Sequence, residues 1–313
     1  MRSDTPKAHD LIYDIGMHKG EDTEFYLRKG FRVVAFEADP DLASHCRTRL
    51  RDFIDQGRLV IVEGAIVDRE AADAGLKKTR FYKSDTVSVW GTVRSDWAER
   101  NMKFGTSSKS IEVDTVDFGE VIQKYGVPHY MKIDIEGLDL VCVKAMEQFS
   151  VPPDFISLES SKTRFADIQR EIEVLEKLGY NAFQAVEQSA VPASQPPWPA
   201  TEGEYVSQKF QEGSSGLFGS ELGGEWKSKG AVLRQYRFIR LGYYLLGDSG
   251  VLNRWRFRGA ERLRLVVSRL LRFFTKASIP GWYDTHARHR TANQLKGGSQ
   301  RTSLEGTLSA VRR

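Results

Sequence analysis

Leu11-Ile12-Tyr13-Asp14-Ile15-Gly16-Met17-His18-Lys19-Gly20 is the stretch whose reading decides the fold. Residues 11–15 form a short, mostly apolar run that stops at glycine, and residues 21–29 then have helical composition ending before Gly30. That order reads as strand, glycine loop, helix. Glycines at such a join permit a tight turn and let the backbone approach a ligand closely.

Working outward, residues 31–36 (FRVVAF) are rich in β-branched and aromatic side chains, Glu37 follows, and Pro40 opens a helix that runs to about Phe53. Residues 59–67 (LVIVEGAIV) predict a third strand. Residues 80–90 and 110–116 are short extended pieces whose pattern does not decide between helix and strand. Residues 130–135 and 155–158 predict two further strands, separated by a helix over 138–148, and a helix over 166–178 closed by Gly179 leads into a strand over 180–186. Strands alternating with helices at this spacing imply a doubly wound, Rossmann-like α/β fold with a mostly parallel sheet, whose ligands bind beyond the carboxyl ends of the strands.

The chain divides into a nucleotide-binding domain over 1–230, a helical basic extension over 231–290, and a polar tail over 291–313 expected to be disordered. Within the domain, residues 189–230 are rich in Pro, Gly and Ser and read as loops that form a lid over the pocket. Cations are concentrated late: between Asn253 and Lys276, seven arginines and one lysine are answered by Glu261 alone, with Leu263, Val266, Leu270 and Phe273 among the apolar residues at helical spacing. Such an amphipathic basic helix either packs on the domain with its arginines outward or makes peripheral contact with an anionic membrane.

The net charge of +4 is too mild to argue for nucleic acid. Two cysteines, Cys46 and Cys142, without CxxC spacing argue against a disulfide framework or structural zinc. The polar Met1–Asp10 stretch leaves no room for the apolar core of a signal peptide, and no run reaches the ~18 apolar residues of a membrane span, so a cytoplasmic setting is expected. Asp284, His286 and His289 are the right residue types for a metal, but histidines in a basic stretch are more often solvated, and no required metal is expected. Tyr205-Val-Ser-Gln-Lys209 matches Y-x-x-x-K by chance, since it lies in a glycine-rich segment.

The glycine loop and Glu37 together point to an adenosine-containing ligand, the carboxylate accepting from both ribose hydroxyls. The loop is G-x-x-x-G preceded by Asp14, whereas a dinucleotide fold offers G-x-G-x-x-G. Asp14 would repel a diphosphate and would suit an ammonium and a nearby sulfonium.

Residues 14–20, Phe36-Glu37, Gly64-Ala65-Ile66-Val67-Asp68 and Lys132-Ile-Asp134-Ile-Glu136-Gly137 together resemble the FkbM family of methyltransferases, over roughly residues 10–190. The resemblance implies a class I methyltransferase fold, S-adenosylmethionine as methyl donor, and O-methylation of a hydroxylated small-molecule or glycan acceptor. By position it implies that Asp14, Gly16 and Gly20 line the methionyl side, Glu37 holds the ribose, Gly64, Ala65 and Ile66 lie near the adenine, and Asp134 faces the methyl donor. Asp139 fills a place where many members carry an acid.

Methyl transfer from a sulfonium is an in-line displacement, which asks the enzyme to position the acceptor oxygen and remove its proton. Asp134, Glu136, His18 and Glu159 are the candidate bases, all at strand ends or in the glycine loop; Asp134 or Glu136 is favoured, a role compatible with capping the following helix. Ser84, Asp85, Ser88 and Trp90 are candidates for the acceptor pocket. An NAD(P)-dependent oxidoreductase would account for the fold and Glu37 but not for Asp14 or the Lys132–Gly137 block. A non-catalytic nucleotide-binding protein on the same fold would not need so intact a glycine loop.

Overall fold

A computed structural model describes residues 2–84, 91–93, 108–135, 137–160, 164–246, 250–254, 260–275 and 282–292. Ten strands are described: β1 (Lys7–Ile15), β2 (Arg32–Glu37), β3 (Leu59–Glu63), β4 (Ala65–Val67), β5 (Lys78–Ser84), β6 (Ser108–Asp117), β7 (Val127–Ile133), β8 (Phe155–Glu159), β9 (Tyr180–Glu187) and β10 (Tyr283–His289). The helices are α1 (Glu21–Arg28), α2 (Pro40–Arg49), α3 (Arg51–Asp55), α4 (Arg69–Asp73), α5 (Phe118–Tyr125), α6 (Asp139–Ala145), α7 (Phe165–Lys177), α8 (Lys229–Leu246), α9 (Val251–Arg254) and α10 (Ala260–Thr275).

The main sheet has the order β3-β2-β1-β7-β8-β10-β9. β3, β2, β1, β7 and β8 run parallel, and β10 pairs antiparallel with both β8 and β9. The expected doubly wound, mostly parallel α/β sheet is therefore present. Its pleat divides the core in two. Leu11, Tyr13 and Ile15 face one layer with Phe36, Ile122, Val143 and Ile172. Ile12 faces the other with Phe25, Tyr26 and Tyr130, as the two-residue period of a strand requires.

Three expectations need correction. Residues 59–67 are not one strand: Gly64, at φ +136, breaks the run, and β4 leaves the main sheet to pair with β6 in a three-stranded sheet β4-β6-β5. Residues 231–290 are not wholly helical, because residues 283–289 form β10 inside the main sheet, which also makes His286 and His289 buried rather than solvated. The stretch 189–230 is not a lid. Its Val206, Phe210 and Phe218 pack on α1 and β7, with Phe218 stacked 4.8 Å from Tyr130. A segment carrying that much apolar surface gains more by covering an open sheet face than by staying mobile over a pocket.

This covering segment is pinned by ionic contacts. Lys29 Nζ donates to Glu221 at 2.9 Å, both fully buried. His129, near the start of β7, lies 2.8 Å from Asp154 and 2.9 Å from Glu202 through its two ring nitrogens. Burial alone would lower its pKa, but the two carboxylates raise it to about 9, so the ring is an imidazolium. His9, His129 and Asp154 have the spacing of a metal group. Both His129 nitrogens are spent on carboxylates and Lys7 stands 2.6 Å from Asp154, so the cluster is a cationic clamp.

Candidate active site

Beyond the carboxyl ends of β1, β2 and β7 the chain leaves a cleft, closed on one side by the β5–β6 pair. Gly16 makes its floor. At φ +86, with an added Cβ only 2.0 Å from the Asp134 carbonyl oxygen, this position tolerates no side chain. The chain then turns through His18, at φ +53, whose N–H donates to Glu37 Oε2 at 2.8 Å. The other Glu37 oxygen accepts from the Asp39 N–H at 2.8 Å. Burial pushes the Glu37 carboxyl up to about 7, partly offset by those N–H donors. Each carboxylate oxygen keeps a lone pair beyond its backbone donor, and Glu37 lines the cleft.

The cleft also has an apolar wall of Ala38, Ala65, Ile66, Phe81 and Val93. Gly64 lets this wall close: an added Cβ would stand 2.8 Å from the Asp114 carbonyl oxygen. Lys83 reaches the rim and pairs with Asp39 at 2.9 Å and Asp41 at 2.6 Å.

Among the sequence-derived candidates, Gly16, Glu37, Gly64, Ala65, Ile66, His18 and Asp134 all line this cleft. Asp134 follows β7, its N–H held by the Ile15 carbonyl at 2.8 Å while its side chain is 46% exposed. Burial lowers the His18 pKa, so its imidazole is neutral at pH 7. Glu136 lies outside the described residues, as do Asp85, Ser88 and Trp90 and the side chain of Ser84.

Three candidates sit elsewhere. Asp14 shares the Ile12 face of β1, so it points under α1, where it is fully buried, accepts from Thr23 Oγ1 at 2.5 Å and lies 3.3 Å from Lys132 Nζ. It lies beneath the glycine loop beside Lys132 and does not line the cleft. Gly20 is the N-cap of α1, and an added Cβ would meet Arg49, Leu50 and Cys46 rather than the cleft. Glu159, at the end of β8, is paired in register with Asp284. Burial, then the neighbouring Asp134 and Glu159 charges, push the Asp139 carboxyl up to about 7.

Sequence reasoning missed Lys132 as more than a motif letter. Its ammonium donates to the Gly16 carbonyl at 3.1 Å and lies 3.3 Å from Asp14, 3.7 Å from Asp22 and 3.7 Å from Asp134. It thereby ties the glycine loop to the end of β7. Phe81, Val93 and Lys83 were missed too, because the hairpin that brings them carries no glycine motif.

The model of the methyltransferase FkbM domain matches residues 14–182, more than half of the chain. No curated protein matches. Solved structures that are similar include methyltransferase FkbM from Methylobacillus flagellatus KT, at 17% identity and a TM-score of 0.34, covering 57% of this chain and 40% of that one. Precorrin-6y C5,15-methyltransferase from Geobacter metallireducens GS-15 gives 14% identity and a TM-score of 0.30, over 60% of this chain and 73% of that one. A methyltransferase from Thiobacillus denitrificans in complex with S-adenosyl-L-homocysteine gives 11% and 0.32, over 91% and 87%. The chain belongs to the FkbM methyltransferase family, whose members take the methyl group they transfer from S-adenosylmethionine.

Proposed function

We propose that this methyltransferase is an O-methyltransferase acting on a hydroxyl of a sugar, glycan or small natural product. The observation that carries the reading is that one cleft is lined by Glu37, Asp134 and His18, whose imidazole burial keeps below its ordinary pKa. The residues fit the cofactor. Glu37 offers two carboxylate oxygens to the ribose hydroxyls, and Ala38, Ala65, Phe81 and Val93 offer an apolar slot to the adenine. When bound, S-adenosylmethionine supplies an electrophilic methyl group on a positive sulfur.

Asp134 is the residue placed to take the proton that the acceptor hydroxyl loses, since it is ionisable, half exposed and on the cleft. Lys132 stands 3.7 Å from it, and His18 on the same cleft is a second candidate proton acceptor. An oxygen acceptor must lose a proton to become neutral after methylation, which is why a carboxylate beside the cleft supports a hydroxyl over an already anionic group.

Calorimetric titration tests the cofactor half. The expected result is that S-adenosylmethionine binds the wild type and NADH does not, and that Glu37→Gln weakens the binding by about 10- to 100-fold, the loss of about 1.5–3 kcal/mol expected for charge-assisted hydrogen bonds. Because hydroxyl donors prefer the ionised carboxyl, affinity drops as pH falls through the Glu37 value of about 7. A screen of polyhydroxylated acceptors tests the rest: Asp134→Asn lowers turnover while leaving cofactor affinity in place. Methylation appearing on nitrogen or carbon acceptors alone would overturn the hydroxyl assignment, and NADH binding in place of the methyl donor would overturn the cofactor reading.

A further inference from the structure

Helix α8 buries Val232, Tyr236 and Ile239 against the sheet and turns Phe238, Leu241 and Tyr244 outward. Helix α10 packs on α8 and likewise exposes Leu265, Val266 and Leu270. These six large apolar side chains are between 46% and 65% exposed. Arg234 and Arg240 stand exposed among them on α8, as do Arg262 and Arg269 on α10. A monomeric surface rarely gathers that many large apolar side chains on two adjoining helices without a partner.

The charge says what the partner is. Residues 229–276 hold twelve Lys and Arg against two acids, whereas the rest of the chain is net acidic, with 34 basic against 40 acidic residues. Eight of those twelve cations, four on α8 and four on α10, lie on the same two helices as the exposed apolar groups. Nucleic acid would call for the cations without the aliphatic side chains, and a second copy of the chain would bring twelve like charges against twelve. An anionic bilayer answers both features, taking apolar side chains into its interface while its headgroups meet the arginines. Among the described residues no helix is long and apolar enough to cross a membrane, so the contact is peripheral.

The helix direction gives this surface a place relative to the cleft. Residue Lys227, just before α8, is bridged to Phe183 within β9, and Tyr236 reaches Ser160 and Thr285 at the carboxyl end of β8. From there to Tyr244 the helix rises a further ~12 Å. Its outer end stands at the carboxyl edge of the sheet, the edge that carries the cleft.

We propose that α8 and α10 form a peripheral docking surface for an anionic lipid bilayer. Truncation is the wrong test, because removing residues 250–313 would delete β10 from the main sheet. The full chain is instead sedimented with vesicles of phosphatidylcholine alone and of phosphatidylcholine with the anionic lipid phosphatidylglycerol added. The expected result is at least about tenfold more binding to the anionic vesicles, lost in high salt. Phe238→Ser/Leu241→Ser/Leu265→Ser and, separately, Arg262→Glu/Arg269→Glu each reduce it by about tenfold or more. Unchanged cofactor affinity in calorimetry shows that the variants are folded. Equal binding to both vesicle types, no binding, or full binding by either variant would overturn the proposal. So would light scattering that shows a dimer which the apolar triple variant dissociates.

Discussion

Replacing Lys132 by methionine keeps the length of the side chain and removes one buried ammonium. Three carboxylates surround that ammonium at 3.3–3.7 Å, and two of them, Asp14 and Asp22, are themselves buried. Removing one member of a buried ion group leaves its partners uncompensated, at a cost of about 3–5 kcal/mol. For a chain of this size that is a fall in Tm of roughly 5–8 °C. The pH dependence is the sharper part. Burial has already pushed Asp22 up to about 6, with Lys132 holding it down and Asp14 adding to the rise. Without Lys132 the Asp22 carboxyl should titrate higher still, so the folded variant binds a proton more readily than the unfolded chain, and its stability recovers as pH falls. Urea unfolding at pH 8 and at pH 5 measures this: the loss is full at pH 8 and reduced at pH 5. Asp14→Asn added to Lys132→Met should restore part of it at pH 8. A loss below about 1 kcal/mol at pH 8, or the same loss at both pH values, would refute the reasoning that Lys132 neutralises buried carboxylates.

Gly16→Ala places a Cβ 2.0 Å from the Asp134 carbonyl oxygen at φ +86. It should cost at least about 2 kcal/mol and abolish cofactor binding by calorimetry, whereas Gly20→Ala should cost less and leave binding intact, because its nearest neighbours are movable side chains outside the cleft. His129 is held protonated by Asp154 and Glu202, with its pKa raised to about 9. The stability it adds is complete below about pH 6.5 and disappears as pH rises through about 9, and His129→Gln should flatten that decline in thermal melts between those limits.

Much of the fold was legible because apolar runs that stop at glycine or a carboxylate are hard to read otherwise. β1, β2, β7, β8 and β9 lie within a few residues of where the runs place them. The break at Gly64 was hidden inside LVIVEGAIV, apolar on both sides, since nothing in composition tells a strand that continues from one that changes sheets. β10 was hidden for the opposite reason: Tyr-Asp-Thr-His-Ala-Arg-His looks solvated, yet Thr285 and His286 are buried. In the site, Glu37 was readable as the last residue of a strand, and Gly16 as the first glycine of the loop. Asp14 was misread although the signal was present. Tyr13 and Ile15 alternate with Ile12, and that two-residue period already sends Asp14 to the α1 face. The aromatic residues Phe210 and Phe218 were likewise a visible sign that residues 189–230 had a core to fill.

The position of β10 governs when the molecule can finish folding. It is the last of the described strands and yet lies between β8 and β9, completed more than ninety residues before it. As the chain leaves the ribosome, those two strands wait with their facing edges unpaired while the cation-rich helices are synthesised, and the gap closes only when residues 283–289 arrive. Exposed strand edges are templates for pairing with other chains, so the interval between residue 187 and residue 283 is the stretch of synthesis in which this protein is most open to misassembly. A premature stop anywhere in that interval leaves a sheet that its own chain can no longer close.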